Sequence, residues 1–172
     1  KDWPVAPVLL EDTYTVADAV VVGDLLITLL KHTDRVHSAS LAQLVNVIAP
    51  IMTEPGGRAW KQTTFHPFAL TSKHASGTVL QLAVEAPLVS GGTTADVAAL
   101  SAVATFDPDK GEAVIFAVNR SAENALALDA AIAGLGAVRV VEALTYANKD
   151  PYWQAGADDS TSVLPSDNGS VK

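Results

Sequence analysis

The sequence predicts an α/β segment followed by an all-β segment, with the change near Gly77. Two observations within the chain predict it. Up to Gly77, runs of helical apolar spacing alternate with an extended run, one step of a parallel α/β protein. From Thr78 onward, short β-rich runs stand between turn signals about every 8–12 residues, the spacing of an antiparallel sandwich. A third observation is charge. Residues 1–77 carry seven acids against six bases, and residues 78–172 carry twelve against five, so net charges of −1 and −7 meet at the same place.

The whole chain of 172 residues, 49% apolar and 17% charged, is rich enough to build a core, which disfavours a disordered state. Its net charge of −8 disfavours nucleic acid and a polybasic membrane surface as partners, since both need surplus Lys and Arg. Apolar runs stop short of the roughly 18 residues that a transmembrane helix needs. Lys1-Asp2-Trp3-Pro4 opens no signal peptide. The absence of cysteine excludes disulfides, thiolate zinc sites and thiol nucleophiles, and leaves the compartment open.

Thr15 followed by Asp18 is a capping box, and the run Val16 to Lys31 behind it predicts a helix. Only Asp24, Thr28 and Lys31 form a polar stripe on it, so most of its surface should be covered. Val36 to Val45 reads as a strand, with small Ser and Ala interleaved among larger residues and Gln43 near its C-terminal end. Met52 to Gly57 is a turn-rich loop. Thr64 is the expected cap of a second helix reaching Ala75, with Pro67 in its first turn and Gly77 as its stop. In the second segment, strands are expected at Thr78 to Val84, Ala98 to Phe106, Glu112 to Asn119, Ala125 to Ile132, Val138 to Thr145 and around Val163. Asp107 to Gly111 is a hairpin turn, the alternation in Val114 to Val118 suits a strand covered on both sides, and Asn124 to Ala133 could instead be a short helix.

Three contiguous stretches, Leu9 to Tyr14, Leu25 to Val36 and Leu41 to Ile51, carry a resemblance that continues through Ala59-Trp60-Lys61-Gln62-Thr63 to Phe68 and resumes at Ile115 to Arg120. Together they closely resemble the family-51 α-L-arabinofuranosidases. The resemblance implies a (β/α)₈ TIM barrel followed by a C-terminal, jelly-roll-like β-sandwich. Residues 1–77 would be the end of the barrel (helix 7, strand 8, helix 8) and residues 78–172 the sandwich. A complete barrel needs roughly 200–250 residues, so only its last quarter would be present and the sandwich would lack a closing strand.

The same resemblance implies a retaining glycosidase acting on terminal arabinofuranosyl groups of arabinan, arabinoxylan or their oligosaccharides. Its two catalytic glutamates would lie upstream of Lys1, in a missing N-terminal barrel portion. None of the six Glu here maps onto them: Glu11 precedes a helix, Glu54 is in a turn and the other four fall in the sandwich. No catalytic residue is therefore assigned to this chain, and neither a cofactor nor a metal is expected. One site residue carries over. Gln43 matches the family's strand-8 glutamine, which contacts the arabinofuranose ring. A neutral amide, donor and acceptor at once, suits sugar hydroxyls, and strand C-terminal ends hold the chemistry of a barrel. The alternative is a Gln satisfied by loop backbone. Family resemblance also implies a cytoplasmic enzyme, with secretion as the alternative, and a homo-oligomer.

Other candidates have plainer readings beside the functional ones. His32 and His37 read as a helix-end cation and a packed strand residue. His66 and His74 are eight apart, where helical zinc ligation needs four. Trp60 could stack on sugar or pack on the second helix, and Asp150-Pro151-Tyr152-Trp153 is a weak carbohydrate platform. Asn119-Arg120-Ser121 and Asn168-Gly169-Ser170 match the glycosylation pattern by composition alone. Two rival functions remain: a non-catalytic carbohydrate-binding or structural module, and another barrel glycosidase such as a β-xylosidase.

Overall fold

The computed structural model describes residues 11–168. The Lys1–Pro4 opening, Leu9-Leu10 and the Gly169-Ser170 part of the second glycosylation pattern lie outside the described residues.

Helix α1 spans Val16–Lys31, with the expected cap in place. Asp18 N donates to Thr15 Oγ1 at 3.2 Å, and Thr15 N donates to Asp18 Oδ2 at 2.7 Å. Two further first-turn N–H groups are satisfied from far away: Val16 N donates to the Trp153 carbonyl at 3.1 Å and Ala17 N to the Pro151 carbonyl at 2.9 Å. These groups have no partner inside a helix, so a distant loop completes this one. Its inner face buries Val16, Ala19, Leu26 and Ile27, while Val21 and Leu25 are each 58% exposed. Apart from these two, only Thr28 and Lys31 of the expected polar stripe are exposed on the helix, so most of its surface is covered, as expected.

The strands are antiparallel throughout. β1 (Ile51–Thr53) pairs β2 (Ala59–Lys61), with Met52 opposite Trp60. Helix α2 (Phe65–His74) follows, with Pro67 in its first turn. β3 (Thr78–Leu80), β4 (Leu88–Val89), β5 (Val97–Ala98), β6 (Leu100–Asp107), β7 (Glu112–Asn119), β8 (Leu144–Thr145) and β9 (Ser166–Asp167) complete the order. β3, β6 and β7 form a three-stranded sheet in the order β3-β6-β7, and β4–β5 and β8–β9 are two-stranded ladders.

The β6–β7 hairpin is the firmest part of the sheet. Asp107 Oδ1 accepts from Asp109 N and Lys110 N, closing the expected turn, and Gly111 takes φ +65°. Ser101 to Thr105 of β6 are buried beneath α1. On β7, Val114, Phe116 and Val118 are half-buried and Ala113, Ile115 and Ala117 exposed, so only one face is covered among the described residues. A bidentate pair fastens helix to sheet: Arg120 Nε and Nη2 donate to Asp24 at 2.9 and 2.8 Å, and Nη1 donates to the Ala98 carbonyl. Asp24, one residue of the polar stripe of α1, is therefore the helix's tie to the sheet.

Several expected elements differ. Val36 to Val45 forms no strand, and all of it except Val36 is exposed. A barrel strand takes its hydrogen bonds from parallel neighbours on both sides, and no strand lies alongside it among the described residues. Ala125 to Ile132 is irregular, neither strand nor helix. Of Val138 to Thr145 only β8 is a strand, and Val140 and Val141 are 60% and 75% exposed. Their apolar pattern suits a sheet, but without an adjacent ladder the pattern alone fixes no strand. Thr78 to Val84 is shortened to β3, and the last strand is β9 rather than a run around Val163, which is buried in a loop.

Helix α2 starts after Thr64, as expected, but the Thr64 side chain makes no capping bond. It ends at His74, with Ala75 rather than Gly77 as its cap. Gly77 serves another purpose. It takes φ +78°, and a Cβ there would strike the Phe106 carbonyl oxygen, so glycine is what lets β3 close on β6. Gly77→Ala should destabilise the full chain by about 2–4 kcal/mol, read as a lower midpoint in chemical denaturation. An unchanged midpoint would mean that β6 yields without cost.

Candidate functional site

Gln43 sits in an irregular segment rather than at a strand end. It is exposed, takes φ +58°, and its Oε1 accepts from Ile48 N at 3.5 Å, the outer limit of a hydrogen bond. Asn46 and Val47 also take positive φ, +61° and +60°. Three such non-glycine residues within five positions are unusual, and the β-branched Val47 is the costliest of them.

What holds this backbone is a dense set of bonds at the base of the loop. Asn46 N donates to the Ile51 carbonyl at 2.8 Å, and the Asn46 amide pairs with Thr53, accepting from its N at 2.8 Å and donating to its Oγ1 at 2.9 Å. Four consecutive carbonyls then each accept one bond from outside the loop. Val47 accepts from Asp12 N at 2.7 Å, Ile48 from the Tyr14 hydroxyl at 3.0 Å, Ala49 from Gln62 Nε2 at 2.9 Å and Pro50 from Gln62 N at 2.8 Å. Burial, with Asp12 and Asp18 nearby, raises the Tyr14 pKa above its ordinary value, so the phenol remains a donor at neutral pH. The result is a rigid base and an open tip that carries one primary amide. Such a tip can donate to and accept from hydroxyl groups of a sugar.

The remaining candidates are placed as follows. Trp60 is half-buried in β2, opposite Met52. Tyr152 is 76% exposed, but its loop supplies the Pro151 and Trp153 carbonyls that cap α1, which gives the predicted platform a structural task. His32 lies at the C-terminal cap of α1 beside Arg35, and His37 is exposed in the segment that forms no strand. Asn119 donates through Nδ2 to the Asn124 carbonyl at 2.7 Å and accepts from Ser121 N. His74 Nε2 lies 3.9 Å from Glu142. Among the described residues no group of three His, Asp or Glu could hold a metal ion. A cleft of about 480 Å³ lies between the end of α1 and β3, near Lys31, Asp34 and Gln81, and Gln43 is not part of it.

Sequence reasoning also missed a long-range ring pair. His66 is buried and its ring lies 4.7 Å from that of Tyr146, 80 residues further on, with the Phe65 ring edge-on to it at 5.8 Å. No local pattern signals a contact of that span. Burial, with Lys61 adding to it, lowers the His66 pKa, and burial pushes the Tyr146 phenol up to about 12. The sign follows directly. Unfolded His66 takes up a proton near its ordinary value of 6.5, the folded residue only at lower pH, so folded stability is lost as pH falls below about 6.5. Urea unfolding at about pH 7.5 and 5.5 should show that loss, and His66→Gln should flatten it.

The full length of the chain, residues 1–172, matches the family model described as the α-L-arabinofuranosidase C-terminal domain. An intracellular exo-α-(1→5)-L-arabinofuranosidase of Streptomyces lividans is 53% identical over 150 residues, covering 87% of this chain and 22% of that protein. An exo-α-(1→6)-L-arabinofuranosidase of Bifidobacterium longum is 59% identical over 125 residues, covering 72% of this chain and 24% of its own length. The chain thus spans less than a quarter of either relative. Among solved structures, a family 51 α-L-arabinofuranosidase from Bifidobacterium longum superposes with a TM-score of 0.87 at 46% identity, over 97% of this chain and 33% of that one. On this match the chain belongs to the α-L-arabinofuranosidase C-terminal domain family.

Proposed function

We propose that these 172 residues are the C-terminal part of a longer, retaining α-L-arabinofuranosidase that releases terminal arabinofuranosyl residues from arabinan- or arabinoxylan-type substrates. In this reading residues 1–77 complete a (β/α)₈ barrel and residues 78–172 form a jelly-roll-like sandwich that braces it. The missing N-terminal barrel portion supplies the two glutamates. One attacks the anomeric carbon through an oxocarbenium-like transition state, and the other protonates the leaving oxygen and then activates water. Carboxylates alone suffice for this chemistry, so no cofactor takes part. The present chain contributes Gln43, whose amide orients the ring of the bound sugar. The whole enzyme works in the cytoplasm as a homo-oligomer.

The observation that carries the reading is the exposed amide of Gln43 on a loop tied down at its base, in a chain of this family. Support for a missing portion comes from apolar side chains left uncovered on the same segment: Leu25, Leu41, Leu44 and Val45 are 58%, 38%, 74% and 40% exposed. Such residues are rarely left open together on a soluble surface.

The test is the substrate profile of the full-length protein. Aryl α-L-arabinofuranoside should be hydrolysed with net retention, followed by proton NMR of the first-formed sugar, while aryl β-xyloside should not turn over. Preferred turnover of the xyloside would make the protein a β-xylosidase. Retention on insoluble arabinan with no turnover of either glycoside would make it a binding module.

A further inference from the structure

The bonds that tie down the Gln43 loop converge on one side chain. Gln62 is 1% exposed, and its carboxamide is almost fully used. Oε1 accepts from Tyr14 N at 3.0 Å, while Nε2 donates to the Asp12 carbonyl at 3.0 Å and to the Ala49 carbonyl at 2.9 Å. The segment before α1, the loop after Gln43 and the end of β2 therefore meet at a single amide.

A path leads from this amide to Gln43. Gln62 Nε2 holds the carbonyl of Asp12, and Asp12 N holds the carbonyl of Val47 at 2.7 Å. That carbonyl and the N–H of Ile48 belong to one planar peptide unit, so fixing the first orients the second. Ile48 N is the donor that Gln43 Oε1 accepts from. Tyr14, itself anchored through its N by Gln62, holds the next carbonyl with its hydroxyl. The left-handed backbone at Asn46 and Val47 lies between the anchor and the tip. Such backbone persists only where its surroundings over-determine it, and here Gln62 acts beside the Asn46–Thr53 pair, anchoring Asp12 and Tyr14, which in turn hold the Val47 and Ile48 carbonyls.

We propose that Gln62 is a positioning residue for Gln43, one that never touches substrate but sets the direction in which the Gln43 amide is presented; this rests on the reading of Gln43 as a sugar contact. The experiment is a double-mutant cycle in the full-length protein, with kcat/KM on an aryl α-L-arabinofuranoside as the readout. Gln62→Met keeps length and burial while removing all three side-chain bonds. It should lower kcat/KM about tenfold in the wild-type background and less than about twofold when Gln43 is already Ala. A merely structural Gln62 would lower the melting temperature with kcat/KM unchanged, or cost the same factor in both backgrounds, and either result overturns the proposal. A Gln43→Ala variant with full activity would instead overturn the reading on which it rests. Should Gln62→Met fail to fold, Tyr14→Phe removes only the hydroxyl bond to the Ile48 carbonyl, and the same dependence on Gln43 is expected of it.

Discussion

The 172-residue chain, purified alone, should hydrolyse no aryl glycoside above the uncatalysed rate. A retaining glycosidase needs two carboxyl groups about 5–5.5 Å apart, one of them held partly protonated by its surroundings. All six glutamates of this chain, Glu11, Glu54, Glu85, Glu112, Glu123 and Glu142, are exposed. Glu54 faces Arg58 at 3.7 Å across the β1–β2 turn, and Glu142 faces His74. The measurement is aryl alcohol release at micromolar protein over hours, beside the full-length protein at nanomolar concentration. Steady turnover by the isolated chain would place the chemistry on residues described here and end the proposed division of labour.

Replacing Gln43 by Ala in the full-length protein should lower kcat/KM on an aryl α-L-arabinofuranoside by about 10–100-fold. That range corresponds to the loss of one or two hydrogen bonds worth roughly 1.5–3 kcal/mol in the transition state. Stability should hardly move, because Gln43 is exposed and its one bond, to Ile48 N, is 3.5 Å long. Activity and stability are thereby separated in a single variant. If kcat/KM were unchanged, the Gln43 amide would be no more than a partner of its own loop, the plainer alternative that its contact with Ile48 represents.

How much of this was legible in the sequence depended on the span of the interaction. The capping box joins residues three apart, and the β6–β7 hairpin closes through an Asp side chain two and three residues from its donors. Both α1 and β7 appear with the expected bounds because local chemistry specifies them. Val36 to Val45 has strand composition, but a parallel strand exists only through neighbours supplied from elsewhere in sequence. Gln43 was singled out through resemblance, and its positive φ could not have been read from residue type, since left-handed backbone ordinarily signals Gly or Asn. Gln62 and Tyr14 were visible only as letters within the resembling stretches. Their meaning lies in bonds spanning 13, 34, 48 and 50 residues, for which no periodicity exists. The His66–Tyr146 pair and the Pro151–Trp153 cap were illegible for the same reason.

The cap on α1 has a consequence for how the chain is made. The first turn of that helix is completed by carbonyls that follow it by well over a hundred residues. A ribosome adding about 5–20 residues per second needs on the order of ten seconds to travel from Val16 to Trp153. Throughout that interval the helix lacks two of the bonds that complete its first turn. The first turn of α1 cannot be completed until the Pro151–Trp153 loop has been synthesised.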